Sequence, residues 1–256
     1  MYTTWVYDET ENKMIKKDIN IVPALYKIFD EILVNVIDHY TRLKIAENHH
    51  QLKNIKVTID KESGIVSVFN DGEGIEVVEH PEHKIYIPEL IFGNLLTSAN
   101  YDDTEERIIG GQNGIGAKAC NIFSKKFTVD TVDSIRKKIY HQEFSDNMKS
   151  KTKPVIKACA KKPYTIITFL PDYERLKMTT MTTDMYQLFV KRTYDICALT
   201  GPDVHVWLNG VKIEFKTFER YTDLYLGNKV DHPRIYENIN ERWDICLLYT
   251  SPSPRD

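Results

Sequence analysis

The sequence predicts an α+β fold on three observations: one long segment with apolar residues at helical spacing, several short segments of alternating apolar and polar residues, and no strict alternation of the two kinds. The 42% hydrophobic and 28% charged residues are the balance of an ordinary globular protein, and 256 residues suffice for one large domain or two modest ones. No stretch approaches the roughly 18 apolar residues of a membrane span, and the N-terminus carries no secretory pattern, so no membrane partner is expected. Lysine and arginine number 34 against 37 acids, a net charge of -3, which leaves any nucleic-acid contact to a local patch. Cys120, Cys159, Cys197 and Cys246 lie too far apart for a zinc knuckle or a dense disulfide framework, and a reducing compartment fits them best.

The elements follow in order. From Val22 to Tyr40 the residues Leu25, Ile28, Phe29, Ile32, Val36 and Ile37 recur at helical spacing, with Pro23 where a first turn accepts it, predicting a core-packed helix. Ile55 to Asp60 and Gly64 to Phe69 alternate around the turn-rich Lys61-Glu62-Ser63, predicting a hairpin. Glu73 to Gly116 is loop-rich apart from an apolar helical segment near Pro88 to Leu96, and suits a lid. Strands are predicted at Phe127 to Val132, Tyr164 to Leu170 and Val204 to Leu208, and a helix at Asp184 to Leu199. The serine- and proline-rich end, Leu247 to Asp256, reads as a non-native tail or a flexible terminus.

Three pieces carry chemistry. Glu31, Asn35 and Asp38, spaced by four and three, share one helix face; a solvated face explains them, and so does a general base at Glu31 with a neutral magnesium ligand at Asn35. Asn70-Asp71-Gly72-Glu73-Gly74 places a carboxylate at a strand end; a plain Asp-Gly turn explains it, and so does Asp71 accepting from an adenine amine. Gly110 to Lys118 frees consecutive backbone N–H groups for phosphate oxygens and adds a lysine, with a flexible linker as the alternative. It is not a P-loop, because no Ser or Thr follows Lys118.

Longer blocks join these pieces: LYKIFDEILVN from Leu25 to Asn35, LTSANYDD from Leu96 to Asp103, GGQNGIGAKACNIF from Gly110 to Phe123, TFLPD from Thr168 to Asp172, Asp195 within RTYDI, and WLNG from Trp207 to Gly210. On these residues, from about Trp5 to about Cys246, the chain resembles the GHKL ATPase family and, within it, the type II topoisomerases of eukaryotic type. The resemblance implies a Bergerat ATP-binding fold, a mixed sheet covered on one face by helices, over residues 1–214. The start of a transducer domain is expected over 215–246.

The resemblance further implies ATP and magnesium as cofactors, with Glu31 as catalytic base, Asn35 as metal ligand, and Asp71 and Thr165 on the adenine side. Ser98, Ala99 and Asn100 would approach ribose and phosphate. Gly111, Gln112, Asn113, Gly114, Ile115, Gly116, Ala117 and Lys118 would form the triphosphate cradle and part of the lid. Asp71 stands where many eukaryotic members carry Asn, and Ala99 replaces a serine. In the family a lysine from a transducer loop completes the ATPase site; no such loop occurs in this chain, so it is expected to bind ATP better than it hydrolyses it. The whole enzyme would relax and decatenate DNA as a homodimer, in the nucleus or in the cytoplasm of a virus-infected cell. A MutL-like or chaperone-like ATP-operated clamp is the alternative reading.

Overall fold

In the computed structural model, which describes residues 1–94, 116–215, 217–240 and 243–248, the chain opens on an antiparallel hairpin, β1 (Tyr2–Asp8) and β2 (Lys13–Ile19). Helix α1 (Pro23–Ile45) follows, five residues longer at its C-terminal end than the periodicity predicts, with Arg42 and Lys44 in the last turn where the helix dipole favours cations. Next come β3 (Asn54–Ile59), β4 (Val66–Asp71), the short helices α2 (Ile87–Gly93) and α3 (Gly116–Ile122), and β5 (Ser124–Asp133). The second half comprises β6 (Lys138–Ser145), β7 (Ser150–Lys151), β8 (Val155–Ala158), β9 (Tyr164–Pro171), α4 (Thr183–Thr200), β10 (His205–Leu208), β11 (Val211–Lys212), α5 (Phe218–Leu226), β12 (Arg234–Asn240) and β13 (Trp243–Leu248).

Nine strands form one sheet in the order β11-β10-β3-β4-β9-β5-β6-β7, with β8 also pairing β6. All its pairings are antiparallel except β10 with β3, so the sheet is mixed, as the resemblance implies. Its two faces differ through the period of two. Ile55, Val57, Ile59, Val66, Val68, Phe127, Val129, Tyr140, Phe144, Ile167 and Phe169 are buried beneath the helices. The alternate residues, such as Lys56, Thr58, Ser67 and Thr128, lie on the more open face. Each fully buried large apolar side chain contributes roughly 1.5–3 kcal/mol, so this one-sided burial fixes the register.

The helical layer is knitted by specific pairs. Phe29 of α1 stacks on Phe189 of α4 with ring centroids 4.0 Å apart, and Arg192 donates to Asp30 at 2.6 Å. Thr182 caps α4 through Oγ1, which accepts from the Met185 N–H at 3.3 Å. Glu89 of α2 is buried yet satisfied, accepting from Lys151 Nζ at 2.6 Å and from Gln142 Nε2 at 3.1 Å. Asn121 Nδ2 donates to the Phe92 carbonyl at 3.0 Å, tying α3 to α2. The β12–β13 hairpin forms a separate two-stranded sheet, and β13 runs to Leu248, two residues into the segment expected to be a tail.

Candidate functional site

The apolar stripe of α1 buries Leu25, Ile28, Phe29, Ile32, Leu33 and Val36 and turns Glu31 and Asn35 the other way. Asn35 is exposed, whereas Glu31 is half-buried because the start of α3 packs against it. A Cβ on Gly116 would overlap Oε2 of Glu31, so only glycine lets the backbone come this close to the carboxylate. Lys27, one turn earlier, donates to Glu31 at 2.7 Å, and that bond holds the lysine above its usual range. Ala117 and Lys118 follow in α3 and are buried, and burial draws the Lys118 ammonium below its usual range. The structure therefore brings together Glu31, Gly116, Ala117 and Lys118, with Asn35 one helical turn further along α1.

A second polar group is built from the sheet. Asn70 on β4 lies opposite Thr165 on β9, which lies opposite Thr131 on β5, so the three form a polar row on the helix-covered face. Thr131 and Thr165 join their hydroxyls at 3.0 Å, and Thr131 Oγ1 accepts from the Ile75 N–H at 3.0 Å. Here too a glycine is required: a Cβ on Gly74 would overlap the Val132 carbonyl oxygen, a backbone atom that cannot swing aside. Beyond Gly72 the turn meets α1 at His39 and Leu43.

Asp71, expected on the adenine side, is on the other face of the sheet. Its Oδ1 accepts from the Lys53 and Asn54 N–H groups at 2.7 and 2.8 Å, and Oδ2 accepts from Asn54 Nδ2 at 2.7 Å, so the carboxylate pins the start of β3. The residue on the helix-covered face is its neighbour Asn70, which is buried and donates through Nδ2 to the Asp71 carbonyl at 2.9 Å, leaving its amide oxygen as an acceptor. The period of two carried this signal: Asn70 is in phase with Val66 and Val68, and Asp71 is not. Ser98, Ala99, Asn100, Gly111, Gln112, Asn113, Gly114 and Ile115 lie outside the described residues.

His39, one turn past Asn35, is a further polar residue of this side of α1 that the sequence reading did not include, although its spacing of four from Asn35 marks the same face. Its Nδ1 lies 3.1 Å from Arg42 Nη2, while Nε2 is buried with no hydrogen-bond partner among the described residues. Burial, reinforced by the Arg42 charge and opposed by the Glu73 backbone, lowers the imidazole from its ordinary 6.5 to about 4. Above pH 6.5 the ring is neutral in both folded and unfolded chains. Between 6.5 and 4 mainly the unfolded chain takes up the proton, so stability falls through that window and levels off below it. His39→Asn is expected to flatten this part of a stability-versus-pH curve measured by urea denaturation; an unchanged curve would show that His39 does not titrate in this way.

Comparison with known proteins supplies the context. A family model described as histidine kinase-, DNA gyrase B- and HSP90-like ATPase matches residues 20–162. DNA topoisomerase 2-alpha of Gallus gallus is 47% identical over 248 residues, which are 95% of this chain and 16% of that protein. The Homo sapiens protein of the same name is 46% identical over the same shares. This chain thus spans about a sixth of the curated relatives it matches. Among solved structures, the ATPase region of Saccharomyces cerevisiae topoisomerase II superposes with a TM-score of 0.89 at 41% identity, covering 98% of this chain and 65% of that one. The 43K ATPase domain of Thermus thermophilus gyrase B, at a TM-score of 0.54 and 20% identity, shares the fold.

Proposed function

Because the chain belongs to the histidine kinase-, DNA gyrase B- and HSP90-like ATPase family and is homologous to the ATPase region of eukaryotic DNA topoisomerase II, we propose that it binds magnesium-ATP in the pocket between α1, α3 and the Asn70–Thr165–Thr131 row. We propose further that it serves a nuclear, homodimeric enzyme as the gate for ATP-driven passage of one DNA duplex through another. The observation that carries this reading is the approach of the Gly116 backbone to the Glu31 carboxylate, which sets a candidate base beside the end of the glycine segment.

The residues present fit the ligand. The Nε2 of His39, buried with no partner among the described residues, and the amide oxygen of Asn70 are polar groups that would engage the nucleotide, and Lys118 supplies a cation. Asn35 would hold the magnesium ion, which when bound offsets phosphate charge, and a neutral amide oxygen suits a hard cation. Asn70 takes the adenine role in place of Asp71, its amide oxygen accepting from the exocyclic amine, with Thr165 beside it. Glu31 orients a water and takes its proton as the water oxygen bonds to the terminal phosphorus and the bond from that phosphorus to the bridging oxygen of the departing nucleoside diphosphate breaks. Residues 215–246 would begin a second domain through which nucleotide state is passed on.

Calorimetric titration with a non-hydrolysable ATP analogue tests the pocket. Binding is expected to require magnesium, to be lost in Asn35→Ala, and to weaken about tenfold or more in Asn70→Ala through one missing hydrogen bond. Asp71→Ala should leave affinity nearly unchanged and lower thermal stability instead. Binding without magnesium dependence, or an affinity loss at Asp71 rather than Asn70, would overturn the assignment.

A further inference from the structure

Charge is distributed very unevenly along this chain. Residues 124–163, spanning β5 to β8 and the approach to β9, hold eleven lysines and arginines against four acids, whereas the remainder holds 23 against 33. A net charge of -3 therefore conceals a strongly basic sheet edge on an acidic body. Part of that positive charge is neutralised: Lys125 pairs with Asp172, Lys126 with Glu143, Arg136 with Asp133, and Lys151 with Glu89. Lys137, Lys138, Lys149, Lys153, Lys157, Lys161 and Lys162 have no carboxylate within 4.0 Å among the described residues. All but the half-buried Lys138 are exposed.

The placement of these lysines is as telling as their number. β6, β7 and β8 form the outer edge of the nine-stranded sheet, where lysines also keep an open edge from pairing with another strand. Four of the seven run from Lys137 at the β5–β6 turn, past Lys157 opposite Ile139, to Lys153 and then Lys149 beside β7. With β6 eight residues long, at about 3.3 Å per residue, this is a linear stripe of roughly 25 Å. The aromatic rings of the segment, Phe127, Tyr140 and Phe144, are all buried in the core. The stripe thus offers cations without stacking surfaces, which suits the phosphate backbone of a duplex rather than unpaired bases or the apolar boundary of a bilayer.

We propose that the β6–β7–β8 edge is a docking surface for duplex DNA, contacting the phosphate backbone without reading base sequence. The choice of DNA deepens the reading of the chain as part of a DNA-handling enzyme; the stripe itself rests only on charge and topology. None of the stripe lysines is among the residues proposed to hold nucleotide, so the two can fail separately.

The test is fluorescence anisotropy of a labelled mixed-sequence duplex of about 30 base pairs, titrated with the chain at several salt concentrations, beside the calorimetric ATP-analogue assay. The parent is expected to bind with an affinity that falls steeply with salt. The triple variant Lys149→Glu, Lys153→Glu, Lys157→Glu should bind at least tenfold more weakly, with a log–log salt slope shallower by about 2–3, since each phosphate contact contributes roughly 0.9. Its analogue affinity and melting temperature should equal the parent's. A control with the same charge change in the acidic body, Lys13→Glu, Lys16→Glu, Lys44→Glu, should bind DNA much more nearly like the parent. Absence of parent binding at low salt, equal weakening by both triple variants, or capture of anionic vesicles in preference to DNA would overturn the proposal. Loss of analogue binding with DNA binding intact would overturn the pocket assignment instead.

Discussion

In the complete protein, with its transducer lysine, Glu31→Gln is expected to lower ATP turnover by about 10²–10⁴, the usual contribution of a positioned general base, while leaving affinity for a non-hydrolysable analogue almost unchanged. The amide keeps the size of the carboxylate and can still accept from Lys27, which lies 2.7 Å from Glu31 in the parent. It cannot take a proton from water. Turnover measured by phosphate release in single-turnover conditions, beside analogue calorimetry, separates the two effects. A proportional loss of both would mean that Glu31 supports the pocket's shape and not the proton transfer.

Gly116→Ala is expected to resemble Glu31→Gln without touching the carboxylate. The added methyl would meet the far end of the Glu31 side chain, Oε2 and then Cδ, and that end rotates away more easily than backbone does. The fold should survive, because alanine suits a helical position better than glycine by about 1 kcal/mol. Displacing a catalytic group by an ångström costs up to about 10²-fold, so turnover should fall by roughly that factor at an unchanged melting temperature. Activity equal to the parent's would show that the approach of α3 to Glu31 is not part of the working site, and unfolding would show that it is structural.

Particular residues show what could be read in advance. The stripe from Leu25 to Val36 predicted α1, and its complement predicted that Glu31 and Asn35 point away from the core, since helical geometry links the two faces rigidly. The strand alternations predicted β3, β4, β5, β9 and β10 to within a few residues. The β1–β2 hairpin, the β6–β8 edge, α5 and the β12–β13 hairpin were not predicted. Their segments are short, mix charges among apolar positions, and owe their shape to what they pair with.

The sequence by itself determined which chemical groups are available: a carboxylate and an amide one turn apart on a helix, a strand ending in Asn-Asp-Gly, a glycine-rich segment with a lysine, and a basic run between residues 124 and 163. These follow from residue identity and local periodicity, which do not depend on the rest of the chain. Only the tertiary structure decided which of them meet. It turned Asn70 toward Thr165 and Thr131 and committed Asp71 to the start of β3, because the side chains of adjacent strand residues leave opposite faces of a sheet whose buried face is chosen by packing. It placed Gly116 against Glu31, 85 residues away in sequence, because α1 and α3 share the same covered face. It also set the half-buried His39 at the junction of α1 and the Gly72 turn with Nε2 enclosed, where desolvation draws its imidazole below the ordinary range, an effect that no local pattern records.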